Sequence, residues 1–78
     1  MIKVRLFGIL RLESGIKEAA LDVHSVRELY TELGRLSEAL TAKKLKGCHI
    51  IVNGEPLGKK AAFKDGDELM LLSPVAGG

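Results

Sequence analysis

Hydrophobic and polar residues alternate over the first seven positions of the chain. Ile2, Val4 and Leu6 fall on one side, while two basic residues and Phe7 fall on the other. This period of two predicts a β-strand with one buried face. A weaker alternation over residues 17–23 predicts a second strand, and the turn-forming residues between the two segments predict an antiparallel hairpin.

The clearest local signal is a helix start at Ser25. Ser25 and Glu28 have the spacing of a capping box, in which the hydroxyl accepts from the amide of Glu28 and the carboxylate reaches back. The apolar residues that follow have the i, i+3, i+4, i+7 spacing of an amphipathic helix, namely Val26, Leu29, Tyr30 and Leu33. We expect Gly34 to weaken or end this helix, a second short helical piece within residues 36–45, and a loop over residues 43–47.

The second half of the chain predicts three further strands. Residues 48–53 are apolar and β-branched and end in an Asn-Gly turn sequence, which predicts a strand and a tight turn. Pro56 lacks a backbone N–H, which limits residues 55–57 to a brief edge strand. A turn over residues 64–67 leads into the last strand, residues 68–72.

This order of elements predicts the fold class. The strands and one main helix form a two-layer α+β domain with a mixed sheet, because one helix covers only one face of a sheet. We expect the first and last strands to lie side by side and parallel at the centre of the sheet, given their apolar content. Residues 1–74 form this domain, and residues 75–78 form a flexible C-terminal tail.

The uncovered face of the sheet carries apolar residues where polar ones are expected. In the last strand, two leucines can face the helix only if Met70 and Leu72 face away from it. Phe7 lies likewise on the outward side of its strand. Scattered surface hydrophobes are common, which is one interpretation. We favour the other, a docking patch for a partner protein, because these three residues lie on neighbouring strands.

Size and composition narrow the classes of function. A single domain of 78 residues rarely holds a deep active site, which favours a carrier or a binding module. No apolar run is long enough to span a membrane, there is no signal peptide, and there is one cysteine, so we expect a cytoplasmic protein without membrane contact. The net charge is only +2 and few aromatic residues could stack on bases, so we expect solvated lysines and no nucleic-acid partner.

The sequence lacks the usual catalytic and metal-binding constellations. Its two histidines and one cysteine cannot complete a four-ligand zinc site without acidic help, so we expect no metal. Cys48 and His49 are adjacent in a predicted strand and point to opposite faces, which prevents them from acting as nucleophile and base. We interpret Cys48 as a packed residue. The remaining candidate is the end of the chain, where Gly77 and Gly78 are thin enough to enter a narrow enzyme tunnel.

One pattern extends over nearly the whole chain. It consists of Met1-Ile2-Lys3-Val4, Phe7, Ser25-Val26 with Leu29, Val52-Asn53-Gly54-Glu55, Lys64-Asp65-Gly66-Asp67-Glu68 and Leu72-Ser73-Pro74-Val75-Ala76-Gly77-Gly78. This pattern resembles the ThiS-like ubiquitin-fold sulfur carriers, and in particular the small subunit of molybdopterin synthase (MoaD). The resemblance implies a ubiquitin-like β-grasp fold. Ser73 departs from it, since many molybdopterin carriers have a second proline at that position.

The resemblance also implies a mechanism. A ubiquitin-activating-like adenylyltransferase would use MgATP to adenylate Gly78, and a sulfurtransferase would supply the sulfur that turns it into a thiocarboxylate. The large subunit of molybdopterin synthase would then receive the tail, which includes Val75, Ala76 and Gly77, and use its sulfur for the dithiolene of molybdopterin. The partner-facing residues would be Phe7, Met70 and Leu72, with Pro56 near their edge. The carrier itself would bind no cofactor and have no active site of its own.

Two other classes of function stay open. A ubiquitin-like protein modifier would use the same tail and the same adenylation to form an isopeptide bond to a lysine. Within the sulfur-carrier class itself the pathway also stays open, because related carriers serve thiamin, cysteine and transfer-RNA thiolation. A plain β-grasp binding module would need no free C terminus. Lysine conjugates of Gly78 would favour the modifier, and a functionally silent C-terminal tag would favour the binding module.

Overall fold

A computed structural model of the chain describes residues 1–57 and 62–73. Within these residues the strands are β1 (Ile2–Phe7), β2 (Glu18–Leu21), β3 (His49–Val52), β4 (Glu55–Pro56) and β5 (Glu68–Leu72). The helices are α1 (Ile9–Ser14), α2 (Val26–Leu36) and α3 (Ala42–Lys46). None of these helices is long and apolar enough to cross a membrane. The predicted tail, residues 75–78, lies outside the described residues.

The strands form one mixed sheet in the order β2-β1-β5-β3-β4. β1 and β5 are parallel neighbours, and the other pairs are antiparallel. The predicted parallel pair at the centre of the sheet is therefore confirmed, as is the antiparallel pairing of β1 with β2. β2 is shorter than the predicted 17–23, because its pairing with β1 ends where Leu21 meets Ile2 at the start of that strand.

The core lies on one face of this sheet, together with residues of α2. Val4 in β1 and Leu69 and Leu71 in β5 have no exposed surface, and α2 contributes the fully buried Leu29 and Leu33. Full burial of each such side chain contributes roughly 1.5–3 kcal/mol. The inner face therefore follows the alternation that the sequence predicted for both central strands.

Helix α2 begins at the predicted cap. The Ser25 hydroxyl accepts a hydrogen bond from the amide of Glu28 at 3.2 Å. The Glu28 carboxylate reaches back one residue further than the simple capping box, and accepts from the amide of His24 at 3.0 Å. The cap thus satisfies two amides at the entrance of the main helix.

The predicted end of this helix at Gly34 is wrong, because α2 continues to Leu36. Glycine in a helix interior costs only about 1 kcal/mol relative to alanine, and the buried Leu33 holds this turn against the core. The helix ends at Ser37, whose amide donates to the carbonyl of Leu33 at 3.1 Å.

The predicted loop over residues 43–47 is also wrong, because residues 43–46 belong to α3. The Thr41 hydroxyl caps this helix and accepts from the amide of Lys44 at 3.2 Å. Leu45 anchors α3 in the core, with no exposed surface. A second helical piece was expected, but it lies at the end of the range 36–45 and extends beyond it.

The connection between β1 and β2 is a helix rather than a tight turn. Leu10 is the buried residue of α1. Gly15 ends this helix with a φ of 75°, and its amide donates to the carbonyl of Arg11 at 2.9 Å. The single buried leucine of α1 produces no helical period in the sequence, so the sequence predicted only a turn at residues 13–15, where the helix ends.

The turns beside β5 were predicted correctly. Asn53 and Gly54 have φ values of 51° and 84°, as a tight turn between β3 and β4 requires. β4 lies at the edge of the sheet, where Pro56 needs no donor. In the turn before β5, the amide of Asp67 donates to the carbonyl of Lys64 at 3.1 Å.

Candidate functional site

The sheet face opposite the core has two chemically different ends. Residues that pair directly across neighbouring strands share a face, so the register identifies the outward side chains. At one end, Lys3 pairs with Glu68, and Arg5 pairs with Glu18. The guanidinium Nε of Arg5 lies 3.1 Å from Oε1 of Glu18. This end is charged and exposed.

The other end of this face is apolar. Phe7 pairs with Leu72, and Met70 pairs with Ile51, which in turn pairs with Pro56. We name these five residues the apolar patch. Pro56 is exposed at the sheet edge, and the other four are half-buried. The register thus places the predicted residues on one face, and their part in docking stays a prediction.

Two further outward residues, Ile51 and His49, were not predicted from the sequence. The antiparallel register sets His49 opposite Leu72 and Ile51 opposite Met70. The signal was present in the sequence, because the buried Ile50 between them forces both neighbours outward. It was overlooked because β3 reads as a continuous apolar run rather than as an alternation.

A groove continues from the apolar patch around the edge of β3. It has a volume of about 500 Å³, and its lining includes Leu72, Ile51, Pro56, Leu57, His49 and Tyr30. Among the described residues, β4 pairs with Ile51 and Val52 and the amide of Leu57 donates to the carbonyl of Ile50 at 2.8 Å, so the groove opens beside the start of β3, at His49. The patch is therefore continuous with a concave surface that a protruding apolar side chain could fill.

The cysteine and the histidines do not form a reactive centre. Cys48 is half-buried, and its thiol donates to the carbonyl of Leu45 at 2.8 Å. Burial raises the pKa of this thiol to about 11, so it is not a thiolate at neutral pH. The interpretation of Cys48 as a packed residue is confirmed. His24 lies before α2 and His49 in β3, and the described residues contain no group of three potential metal ligands.

Hydrogen bonds fix the entrance of β5. The carboxylate of Asp67 accepts from the amide of Lys64 at 2.8 Å and from the side-chain amide of Asn53 at 3.0 Å. These bonds hold the pKa of Asp67 below its usual value. The carbonyl oxygen of the Asn53 side chain in turn accepts from the amide of Glu68 at 2.9 Å. The first residue of β5 is thus tied to the turn after β3.

The exit of β5 lies beside the apolar patch. Leu72 ends the strand, and the hydroxyl of the following residue, Ser73, accepts from the amide of Ile9 at 3.1 Å. This contact was not predicted from the sequence. The predicted tail residues Val75, Ala76, Gly77 and Gly78 lie outside the described residues, so the structure gives the point of departure only.

Comparisons with known proteins agree with this geometry. The model of the ThiS family matches residues 4–78. Three solved structures similar to this chain are small archaeal modifier protein 1 (SAMP1) from Methanosarcina acetivorans, the complex of subunits 1 and 2 of molybdopterin-converting factor from Helicobacter pylori, and the BexX/CysO complex from Amycolatopsis orientalis. A comparison with curated protein sequences found no match.

The likeness to these three structures covers almost the whole chain. The M. acetivorans protein is 28% identical with a TM-score of 0.82, and the match covers 99% of this chain and 95% of that one. The H. pylori structure is 28% identical with a TM-score of 0.69, and the match covers 99% of this chain and 97% of that one. The A. orientalis structure is 27% identical with a TM-score of 0.79, and the match covers 100% of both chains. Two of the three are complexes with a partner protein. The predicted ubiquitin-like β-grasp fold is confirmed.

Proposed function

Since this chain belongs to the ThiS family of ubiquitin-fold sulfur carriers, we propose that it accepts sulfur at the carboxylate of Gly78 and donates it as the small subunit of a molybdopterin synthase. The observation that carries this proposal is the position of the strand exit. β5 ends beside the apolar patch, and Gly78 is only the fifth residue after Ser73.

The short reach of the tail links the patch to the chemistry. Five extended residues span at most about 18 Å. An enzyme that holds the Gly78 carboxylate in its active site must therefore stand close to Ser73, over the end of the sheet where Phe7 and Leu72 pair. The apolar patch is the surface such an enzyme would cover, and the charged end of the same face would form a polar rim.

The sulfur-loading steps follow from the chemistry of a carboxylate, which is a poor electrophile. In the first step a carboxylate oxygen of Gly78 attacks the α-phosphorus of MgATP in an adenylyltransferase, and pyrophosphate leaves. In the second step hydrosulfide, released from the persulfide of a sulfurtransferase by a thiol, attacks the acyl carbon, and AMP leaves. The product is a thiocarboxylate, whose sulfur is the nucleophile for the receiving enzyme.

The division of labour agrees with the described side chains. The one cysteine is a neutral, half-buried thiol, and the histidines lie apart from each other. The catalytic side chains would therefore belong to the partner enzymes, and this chain would supply a recognition surface and a tail.

The choice of the molybdopterin pathway has two supports. One is the similarity to a chain of the H. pylori molybdopterin-converting factor complex. The other is the sequence pattern that ends in Val75-Ala76-Gly77-Gly78. Copurification of the untagged chain with a large synthase subunit would favour this pathway over cysteine, thiamin or transfer-RNA thiolation.

The test of the proposal is loading of Gly78 with sulfur. The chain is incubated with a cognate adenylyltransferase, MgATP and a sulfur source, and intact-mass spectra are recorded. We expect a mass increase that matches one oxygen replaced by sulfur, located on the C-terminal fragment. Deletion of Gly78 should abolish it, because misplacement of a reacting carbon by about 1 Å can cost 100-fold in rate.

Two controls keep this test interpretable. The shortened chain should unfold at the same temperature as the wild type, because the deleted residue is a glycine, which has no side chain to bury. An added residue after Gly78 should also block loading. If wild-type Gly78 stays a carboxylate with every candidate adenylyltransferase, or if the shortened chain still supports cofactor synthesis, the proposal is wrong.

A second candidate function is that of a protein modifier. It is favoured by the similarity to SAMP1 of M. acetivorans, which has a TM-score of 0.82. Both functions begin with the same adenylate and differ in the group that attacks it, a sulfur species or a lysine amine. Mass spectrometry of tryptic digests from cells would separate them, because a modifier leaves a Gly78 isopeptide on lysines of other proteins.

A further inference from the structure

We propose that Ser73 is a positioning residue that fixes the direction in which the C-terminal segment leaves the sheet, through its hydrogen bond to the first residue of α1. This inference rests on the proposed function and names a device that this function would use. The contact joins residues 64 positions apart in the chain, so local sequence signals could not indicate it.

The parallel register brings the two ends of the contact together. β1 and β5 run in the same direction and finish in step, with Phe7 opposite Leu72. The residues that follow them, Gly8 and Ser73, therefore emerge side by side at the same edge of the sheet. From there one chain turns into α1, and the other continues toward Gly78.

The start of α1 requires a hydrogen-bond acceptor from elsewhere. The first amides of a helix have no partner within the helix, and the N-cap residue here is Gly8, which has no side chain to supply one. The Ser73 hydroxyl accepts from the amide of Ile9 at 3.1 Å. Ser73 thus caps α1 from the distant end of the chain.

Gly8 is required at this point for two reasons. Its φ of 65° and ψ of −139° form a backbone conformation that is accessible essentially to glycine alone. In addition, a Cβ at this position would collide with the Ser73 hydroxyl. The missing side chain therefore creates the space in which the hydroxyl sits, and Gly8 and Ser73 form one fitted contact.

The contact between Ser73 and Ile9 holds the chain one residue beyond the end of β5. The β5 ladder holds the chain up to Leu72, and the Ser73 bond extends the hold by one residue beyond it. When Ser73 is already held in place, less conformational entropy is lost on capture of the carrier by an enzyme. The gain is the same in the bound complex and in the transition state, so it should appear in KM rather than in kcat.

The test compares Ser73→Ala with Ser73→Thr, which keeps the hydroxyl. Adenylation of Gly78 is measured as pyrophosphate release at increasing carrier concentration, with the adenylyltransferase that loads the wild type. We expect Ser73→Ala to raise KM between about twofold and tenfold, the range for one further group that must be ordered on binding, with kcat unchanged. Ser73→Thr should restore the wild-type KM. Gly8→Ala is unsuitable here, because it also strains the backbone.

A matched control removes a similar bond elsewhere. The Ser37 hydroxyl accepts from the amide of Ala39 at 3.2 Å, at the far end of α2, and Ser37→Ala should leave KM unchanged. Hydrogen exchange of the Ile9 amide, followed by NMR, reports the Ser73 bond directly and should accelerate in Ser73→Ala alone.

Three results would overturn the inference. The Ser73→Ala variant could keep the wild-type KM although exchange at Ile9 accelerates, Ile9 exchange could be unchanged, or Ser37→Ala could raise KM equally. Failure of the proposed function has a different signature, because the wild type itself would then acquire neither AMP nor sulfur, and the inference would fall with it.

Discussion

In strand β5, Leu69 and Leu71 face the core and have no exposed surface, whereas Met70 and Leu72 face outward and stay half-buried. The two pairs are equally apolar. The inner pair meets a core to which α2 contributes its buried leucines, whereas the outer pair lies on the opposite face of the sheet, beside outward residues of β1 and β3. Burial of the inner pair stabilises the fold, while the outer pair leaves apolar surface partly exposed, as the proposed docking requires.

The same division extends across the neighbouring strands. On the inner side, β1 contributes Val4 and Leu6, which are buried. On the outer side it contributes Phe7 at the apolar end and Arg5 at the charged end. Phe7 and Leu72 thus lie where the chain leaves for Gly78, while Met70 lies in the next row of the same face, between Arg5 and Ile51.

The largest difference between the two faces should appear in stability. Leu71→Ala leaves a cavity in the core and should lower the free energy of unfolding by about 2–5 kcal/mol. Leu72→Ala, one residue along on the outer face, should lower it by about 1 kcal/mol or less, because that side chain is already partly exposed to water. Urea unfolding followed by circular dichroism measures both. Equal losses would mean that the outer residue is part of the core.

Substitutions on the outer face should have their largest effect on the affinity for a partner protein. Phe7→Asp or Leu72→Asp should weaken binding to the large synthase subunit by about 2–4 kcal/mol if these residues are buried anchors of the interface. Ala20→Asp is the matched control, because Ala20 pairs with Lys3 at the charged end of the same face and should bind like the wild type. Calorimetric titration gives the affinities, and circular dichroism should show that all three variants stay folded. Unfolding of the Phe7 or Leu72 variant would contradict the docking interpretation.

A smaller change should stabilise the fold without touching the docking face. Gly34 lies inside α2, and a Cβ there would meet the Leu40 carbonyl at 3.6 Å, an ordinary contact distance. Gly34→Ala should therefore raise the free energy of unfolding by about 0.5–1 kcal/mol through helix propensity. Partner affinity should not change. A loss of stability would show that the helix needs glycine for its close approach to Leu40.

The smallest expected effect is a loss of folding stability at acid pH. The amide of Lys64 and then the side chain of Asn53 lower the pKa of Asp67 in the folded state. The unfolded chain therefore binds more protons near pH 4, and stability should be full above about pH 5 and decline toward pH 2. Asp67→Asn should make this decline slightly less steep. The control variant Glu38→Gln changes an exposed residue away from β5 and should leave the decline unchanged. An unchanged acid limb in the Asp67 variant would assign the decline to other carboxylates.

Local signals were sufficient for the central strands, the main helix and the turns. The alternation of β1, the Ser25 cap and the Asn53-Gly54 turn each depend on residues within a few positions of one another, so the chain itself specifies them. The same reasoning failed for α1 and α3. Each of these short helices contacts the core through one buried leucine, Leu10 or Leu45, and a single residue produces no helical period.

The apolar patch was also predictable only in part, because some of its contacts join residues far apart in the chain. The alternation of side chains along a single strand was enough to predict that Phe7, Met70 and Leu72 face outward. Their meeting with Ile51 and Pro56 depends on strand order and register, which bring together positions far apart in the chain. The Ser73 bond to Ile9 depends further on Gly8 leaving space for a hydroxyl. The alternation within a strand is set by its own backbone, whereas a contact across 64 residues exists only after the central parallel pair has formed.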